Sequence, residues 1–233
     1  MKLGIMQPYF FPYLGYFNLI NSVDNWIVFD TVQYIRHGWI NRNRILHPNA
    51  DWQYIIIPIR KYSRNTPIKD IEISDQTDWR QRILGQLMHY KKQAPFFEEI
   101  FELVEDCLSI DEIALSNLNV SILQKICDRL GVQFRYLIFS KMDLRLGPIE
   151  GPGDWALRIA KALGASEYIN PSGGGDLFDR EKFEEHGVKL TIKNDKSLEY
   201  KCGGYEFIPN LSIIDTFMWN STAEIKAYLD DQI

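Results

Sequence analysis

The chain has 233 residues, 45% of them hydrophobic and 24% charged, enough for one α/β domain with a full core. A net charge of −5 and a pI near 5.4 argue against a general surface for polyanions, so neither nucleic acid nor an anionic membrane is expected as a partner. No apolar run is long enough to span a bilayer, and the first is broken by Gln7, Pro8 and Pro12, so a cytoplasmic location without membrane insertion is expected.

In chain order, Leu3 to Met6 reads as a buried strand, followed by a polar-aromatic loop, a helix over Leu14 to Ile20 and a second strand over Trp26 to Phe29. Strand, helix, strand is the βαβ unit of a parallel sheet, whose ligands sit at the carboxyl ends of the strands. The polar segment from Gln33 to Arg44 is too polar for a core strand, and a third strand is predicted at Trp52 to Ile59. Ile68 to Ile73 alternates apolar and polar residues, as an edge strand does. Helices dominate from Trp79 to Gly131: Thr77 or Asp78 caps the first, Pro95 opens the second, and Ser109 to Glu112 reads as a capping box for the third.

Beta-alpha alternation then resumes. A strand at Phe134 to Phe139 is followed by a Gly-Pro loop over 147–153 and a helix that Asp154 caps. A strand at Glu167 to Asn170 leads into Pro171-Ser172-Gly173-Gly174-Gly175, then a helix over Arg180 to His186 and a strand at Lys189 to Ile192. The pattern is an α/β fold, a three-layer sandwich around a mostly parallel Rossmann-like sheet. It is one domain over 1–233, with a helical insertion at about 78–131.

Three cysteines at wide spacing and four histidines without ligand spacing point to neither a disulfide framework nor a metal site, and no cofactor motif is present. Cys202, before Gly203-Gly204, is the one cysteine in a loop context, and the sequence identifies no base to activate it. Gln7 follows the first strand, and Asp30 and Gln33 follow the second. With Asn41, Arg42 and Asn43 they offer a carboxylate, amides and a guanidinium, a set suited to hydroxyls and an anionic group. Tyr34 and Trp39 are candidates to stack on a base or sugar face, beside Tyr9, Tyr13 and Tyr16 of the aromatic loop. Ser172, Gly173, Gly174 and Gly175 form a backbone-amide cradle of the kind that holds phosphate, after the strand that Asn170 ends, and are expected to hold phosphates together with Arg42. Arg36, Arg42, Arg44, Arg60, Lys61 and Arg64 also fall within 29 residues, a basic strip that reads equally as an anion site or a solvated face.

Together QPYFFPYLGYFNLI, DTVQY, WINRNRI, YINPSGGGDLF and FIPNLSIID resemble the WbqC-like family of bacterial proteins, nearly end to end. The resemblance implies a role beside O-antigen-type surface-polysaccharide genes, including transfer of an aminoacyl group such as glycine to the amine of a nucleotide-linked amino sugar. The opening stretch is also distantly similar to HIGH-signature nucleotidyltransferases, but Tyr13-Leu14-Gly15-Tyr16 keeps their glycine and lacks both histidines. The expected substrate is therefore a nucleotide-sugar, with an acyl or peptidyl carrier protein as donor. Asp30 is the expected base, positioned by Gln33, with Gln7 or Asn41 donating to the oxyanion. A nucleotidyltransferase lacking the histidines, or a non-catalytic nucleotide-sugar-binding protein, is the alternative.

Overall fold

The computed structural model describes residues 1–194 and 196–232. Its centre is a five-stranded, all-parallel sheet of β1 (Lys2–Met6), β2 (Asn25–Val28), β5 (Tyr136–Ile138), β6 (Glu167–Pro171) and β7 (Lys189–Lys193). The strand order is β5-β2-β1-β6-β7. Alternation within the strands divides the core in two. Leu3, Ile5, Ile27 and Tyr168 pack on one face with α5 (Asp154–Ala162) and α6 (Arg180–Glu185). Trp26, Val28 and Ile169 pack on the other with α1 (Leu14–Asn21), and this face carries the larger core. Helices on both faces make the three layers expected from the sequence. Gly4 permits the close packing of β1 on β2, since a Cβ there would lie 2.8 Å from the Trp26 ring.

The larger core is built by α4 (Leu115–Leu130), α7 (Ile213–Trp219) and α8 (Thr222–Asp231), with α2 (Trp79–Leu87) and α3 (Phe97–Leu108) beyond. The block at 78–131 is helical as its periodicity predicts. It reaches the centre of the molecule through Asn119 of α4, which is fully buried and donates to the Pro8 and Ile40 carbonyls at 2.8 and 2.7 Å.

Several local readings differ from the structure. The polar segment before His47 is not a loop throughout: β3 (Arg42–His47) pairs antiparallel with β4 (Ala50–Ile56) as a separate two-stranded sheet. Asn43 and Ile45 point inward while Arg42 and Arg44 lie on the opposite face, a period-2 pattern masked by a polar residue at an inward position. The strand predicted at Trp52 to Ile59 belongs to this hairpin and stays out of the main sheet. Ile68 to Ile73 is a short 3-10 turn over Ile68–Asp70 flanked by single bridges. Ser109 closes α3 and its hydroxyl donates back to the Asp106 carbonyl, so the predicted capping box at 109–112 is absent. Ala114 stands at the N-cap of α4, and the reciprocal box occurs instead at Ser221 and Glu224, ahead of α8. Asp154 is the first residue of α5 and not its cap, and accepts from the Glu150 and Gly151 amides.

Candidate functional site

Gln7, Asp30 and Asn170 follow or end β1, β2 and β6, three neighbouring strands, so the sheet brings their backbones to one carboxyl edge. The chain leaves β1 toward β2 through α1, and leaves β6 toward β7, on the other side, through α6. These two helices cover opposite faces, which makes the β1–β6 boundary the topological switch point, where open α/β sheets leave a crevice. A cleft of about 720 Å³ opens there, with Met6 of β1 and Asn170 of β6 in its wall. A smaller cavity of about 180 Å³ adjoins it across Tyr13 and Asn210.

Eight of the residues singled out from sequence line this cleft: Tyr9, Tyr13, Trp39, Asn43, Asn170, Ser172, Gly173 and Gly174. The cradle after β6 is a six-residue 3-10 turn over Ser172–Leu177. Asn170 accepts from the Tyr168 hydroxyl at 2.9 Å and donates to the Pro171 carbonyl at 2.7 Å. A Cβ on Gly174 would lie 2.7 Å from the Asn170 amide nitrogen, so only glycine lets the turn close over that side chain.

The aromatic loop is set by buried donors. Asn43 donates to the Phe10 and Phe11 carbonyls at 3.0 and 2.8 Å, and the Ser212 hydroxyl donates to Phe11 at 2.8 Å. Phe10 N donates to Trp39 O at 2.9 Å, which ties the loop bearing Tyr9 to the loop bearing Trp39. Phe11 (φ 38°) and Asn210 (φ 59°) hold left-handed backbone where the aromatic loop is strapped to the tail by Ser212 Oγ to Phe11 O and Ile213 N to Pro12 O. Asn43 thus has a supporting part, with its side-chain amide turned to backbone carbonyls.

The remaining candidates lie away from the cleft, each for a visible reason. Asp30 is 2% exposed and turns toward β5, on the far side of β1, where Ser140 holds both carboxylate oxygens. Gln33 donates to the Arg64 carbonyl, so it does not position Asp30. Asn41 is spent inside the fold, donating to Ile57 O and accepting from the Tyr34 hydroxyl at 2.7 Å. Burial pushes the Tyr34 phenol up to about 12, with Tyr62 adding to the shift and Arg42 and Arg36 opposing it. Tyr16 is buried against Trp26 and donates to the Gln7 carbonyl; burial raises its pKa well above the ordinary phenol value. Gln7 contributes this carbonyl, and its side chain does not line the cleft. Arg42 lies 4.1 Å over the Tyr54 ring and bonds the His37 and Gly38 carbonyls.

Sequence marked Arg44 only as one of six cations in the basic strip and did not mark Lys193 or Asn210; these three complete the wall with Met6, Pro171 and Leu177. Arg44 lies over the Trp39 and Trp52 rings at 5.5 and 5.3 Å and donates one bond, to the Asn210 carbonyl at 3.3 Å. Its Nε is buried without a hydrogen-bond partner among the described residues. Lys193 Nζ is bound to Ser22 Oγ and the Gln232 carbonyl, at 2.5 and 2.7 Å. Arg44 is therefore the guanidinium with donors to spare for an anion. The signal for it was available in the Arg-x-Arg spacing of a strand, which puts Arg42 and Arg44 on one face without choosing between them.

Among the described residues, the wall contains no carboxylate, imidazole or thiol. Burial raises the Tyr9 pKa, which keeps that phenol protonated as a donor. Cys202 is buried, and burial pushes its thiol up to about 12, so no thiolate stands ready there. Among the described residues, no three His, Cys, Asp or Glu side chains gather closely enough to hold a metal ion, and no helix is long and apolar enough to cross a membrane.

Comparison with known proteins gives a consistent picture. The uncharacterized protein Rv1507c of Mycobacterium tuberculosis (strain ATCC 25618 / H37Rv) is 31% identical over 233 residues, covering 98% of this chain and 97% of that protein. No solved structure matches. The WbqC-like protein family matches residues 7–227, a span holding the aromatic loop, the Gly-rich turn and the Asn210 tail, and the chain belongs to that family.

Proposed function

We propose that the switch-point cleft binds a nucleotide-linked amino sugar and that the chain transfers an acyl or aminoacyl group to its amine, within surface-polysaccharide assembly of the O-antigen type. The observation that carries the binding half is Arg44, an incompletely bonded guanidinium in a cleft walled by Trp39, Tyr9, Tyr13 and three asparagines. Guanidinium suits a diphosphate, the aromatic rings suit a base or sugar face, and the Asn210 amide suits a hydroxyl, Asn43 and Asn170 being bonded within the fold.

The transfer half rests on the family resemblance and on chemistry the cleft permits. The sugar amine attacks the carbonyl carbon of a thioester; a C–N bond forms, the C–S bond breaks, and the amine proton leaves with the thiolate or to water. Asp30 does not reach this reaction. Arg44 is taken by the diphosphate, so the amine gives up its proton as above, and the Tyr9 phenol of the cleft wall is a donor for the oxyanion. Among its described residues the wall offers amides, phenols and cations and no carboxylate, imidazole or thiol, which favours a second reading, a nucleotide-sugar-binding protein without catalysis. The nucleotidyl-transfer alternative lacks its imidazoles, since Tyr16 of the corresponding tetrad is buried in the core.

A thermal-shift series with nucleotide-sugars tests the site, with stabilisation at millimolar ligand expected. Incubation with an amino-sugar nucleotide and a carrier-bound glycyl thioester, followed by mass measurement, separates the two readings. A glycyl mass gain supports transfer, and binding without mass gain supports the binding protein.

A further inference from the structure

We propose that the outer face of the β3–β4 hairpin, with the loops at 34–38 and 60–64, is the docking surface for an acidic carrier protein that brings the acyl thioester to the cleft. This rests on the transfer reading above. Charge in this chain is segregated: residues 31–69 hold seven Lys or Arg and one acid, Asp51, although the whole chain is at −5. Arg42 and Arg44 share one face of the hairpin, Arg60 and Lys69 are paired with Glu72 and Asp70, and Arg36, Lys61 and Arg64 stand on the flanking loops.

That surface is continuous and partly apolar. Trp52 lies 4.9 Å from Tyr54, Arg42 covers Tyr54, and Arg42 reaches His37 of the adjoining turn. That turn closes from Ile35 to Gly38, and the buried Tyr34 beside it meets Tyr62 at 5.0 Å. Ile35 is 62% exposed, and Trp52, Ile56 and Tyr62 are also solvent-facing. Around this apolar centre stand Arg36, Lys61 and Arg64, exposed and without an ion pair among the described residues. Tryptophan, tyrosine and arginine at the centre with cations at the rim is the composition of a protein interface. The surface meets the cleft directly, because Arg44 lies over both Trp52 on the outer face and Trp39 in the cleft wall.

An acidic protein fits better than a nucleic acid. Arg42 is stacked and bonded, Arg44 is committed to the cleft, and Arg60 and Lys69 are paired with Glu72 and Asp70, which leaves three rim cations around an aromatic centre, too few to track a phosphate backbone. Three rim cations are enough to steer an acidic helix onto an aromatic centre.

The test uses the full chain and an acyl carrier protein loaded with glycyl-phosphopantetheine, titrated calorimetrically at two salt concentrations. Binding that weakens with salt, and weakens roughly tenfold or more in R36E/K61E/R64E, is the expected result. The three positions lie outside the cleft, so the variant keeps the wild-type thermal shift with nucleotide-sugars, which also reports that it is folded. Carrier binding that is absent, or indifferent to the triple charge reversal, overturns the docking surface while the nucleotide-sugar shift stands. Loss in the variant of single-stranded oligonucleotide binding, or of a dimer seen by sedimentation, with no carrier binding in the wild type, overturns it in favour of those occupants. Loss of the nucleotide-sugar shift in the wild-type protein is a separate failure, that of the cleft itself.

Discussion

Ser140 holds both oxygens of the Asp30 carboxylate, its amide donating to Oδ1 at 2.9 Å and its hydroxyl to Oδ2 at 2.6 Å. The Asp30 carbonyl in turn accepts from Lys69 N at 2.9 Å. One residue thus joins the end of β2 to the turn after β5 and to the 68–70 turn, an architectural part outside the lining of the cleft. Asp30→Ala is expected to destabilise the fold by about 2–3 kcal/mol, since it strips two bonds from a buried site. Asp30→Asn, which keeps one acceptor, costs less. Nucleotide-sugar affinity and any transfer rate per folded molecule should stay at wild-type values in Asp30→Asn. A folded Asp30→Asn protein that binds normally and transfers nothing returns Asp30 to the role of base.

Arg42 and Arg44 share a strand face and differ in their freedom. Arg42 is bonded to two carbonyls, whereas Arg44 makes one bond and lines the cleft. Arg44→Ala should weaken nucleotide-sugar binding by about 1.5–3 kcal/mol, the worth of a charge-assisted hydrogen bond, or roughly tenfold to more than a hundredfold in Kd. Arg42→Ala should leave Kd unchanged and lower stability modestly through its lost stacking on Tyr54. Calorimetric titration of both variants decides between them, and the opposite ranking moves the anion site to the His37 side of the hairpin.

The parallel sheet was legible because its strands are apolar runs separated by capped helices, and the carboxyl-edge rule then pointed to the edge where the candidate cleft opens. What was not legible is which way each side chain turns. Asp30 and Asn170 both sit at carboxyl ends, but β2 lies on the β5 side of the switch point and β6 lies on the cleft side. That distinction needs the strand order, and the order depends on which helix packs on which face. The hairpin was hidden for a different reason: Asn43 occupies an inward position, where its amide satisfies loop carbonyls, so the strand lacked its apolar alternation. Asn210 enters the cleft from more than thirty residues past the Gly-rich turn, a contact that no local pattern announces.

Gly153 approaches the cradle from the neighbouring loop. A Cβ there would lie 2.1 Å from the Leu177 carbonyl oxygen, backbone that has no flexible end to yield. Gly153→Ala therefore has to push the 172–177 turn aside, costing about 1–3 kcal/mol of stability and weakening nucleotide-sugar binding with it. Gly173 is the control, since nothing lies within 4 Å of its added methyl. Gly173→Ala should hold wild-type stability to within about 0.5 kcal/mol, and any loss of affinity it shows reports the methyl entering the cleft. Equal stability of the two variants in urea unfolding is the result that contradicts this account.

Asp215 gives the fold a signature in its pH dependence. It is 1% exposed on α7 and accepts from the Tyr90 and Tyr200 hydroxyls at 2.6 and 2.8 Å, while Tyr90 itself accepts from Leu46 N of β3. Burial pushes the carboxyl up to about 6, against the pull of the hydrogen bonds that Tyr90 and Tyr200 donate to it. A carboxyl whose pKa is higher folded than unfolded binds its proton more tightly in the native state. Its ionisation therefore costs stability at pH 7, and the cost is relieved as pH falls through 6 toward the ordinary aspartate range. The relief is on the order of 3 kcal/mol at most. Other carboxylates, among them Asp75, Asp154 and Glu167, are held below their usual range by hydrogen bonds, and they lose stability on acidification in any variant. Asp215→Asn carries the same background without the titration, so the difference between the two proteins isolates Asp215. Urea unfolding at half-unit steps from pH 7.5 to 4.5 should show the wild type gaining on the Asn variant as pH falls. A difference that stays flat across that window places the Asp215 pKa back in the ordinary range, and one that grows with rising pH reverses the sign of the effect.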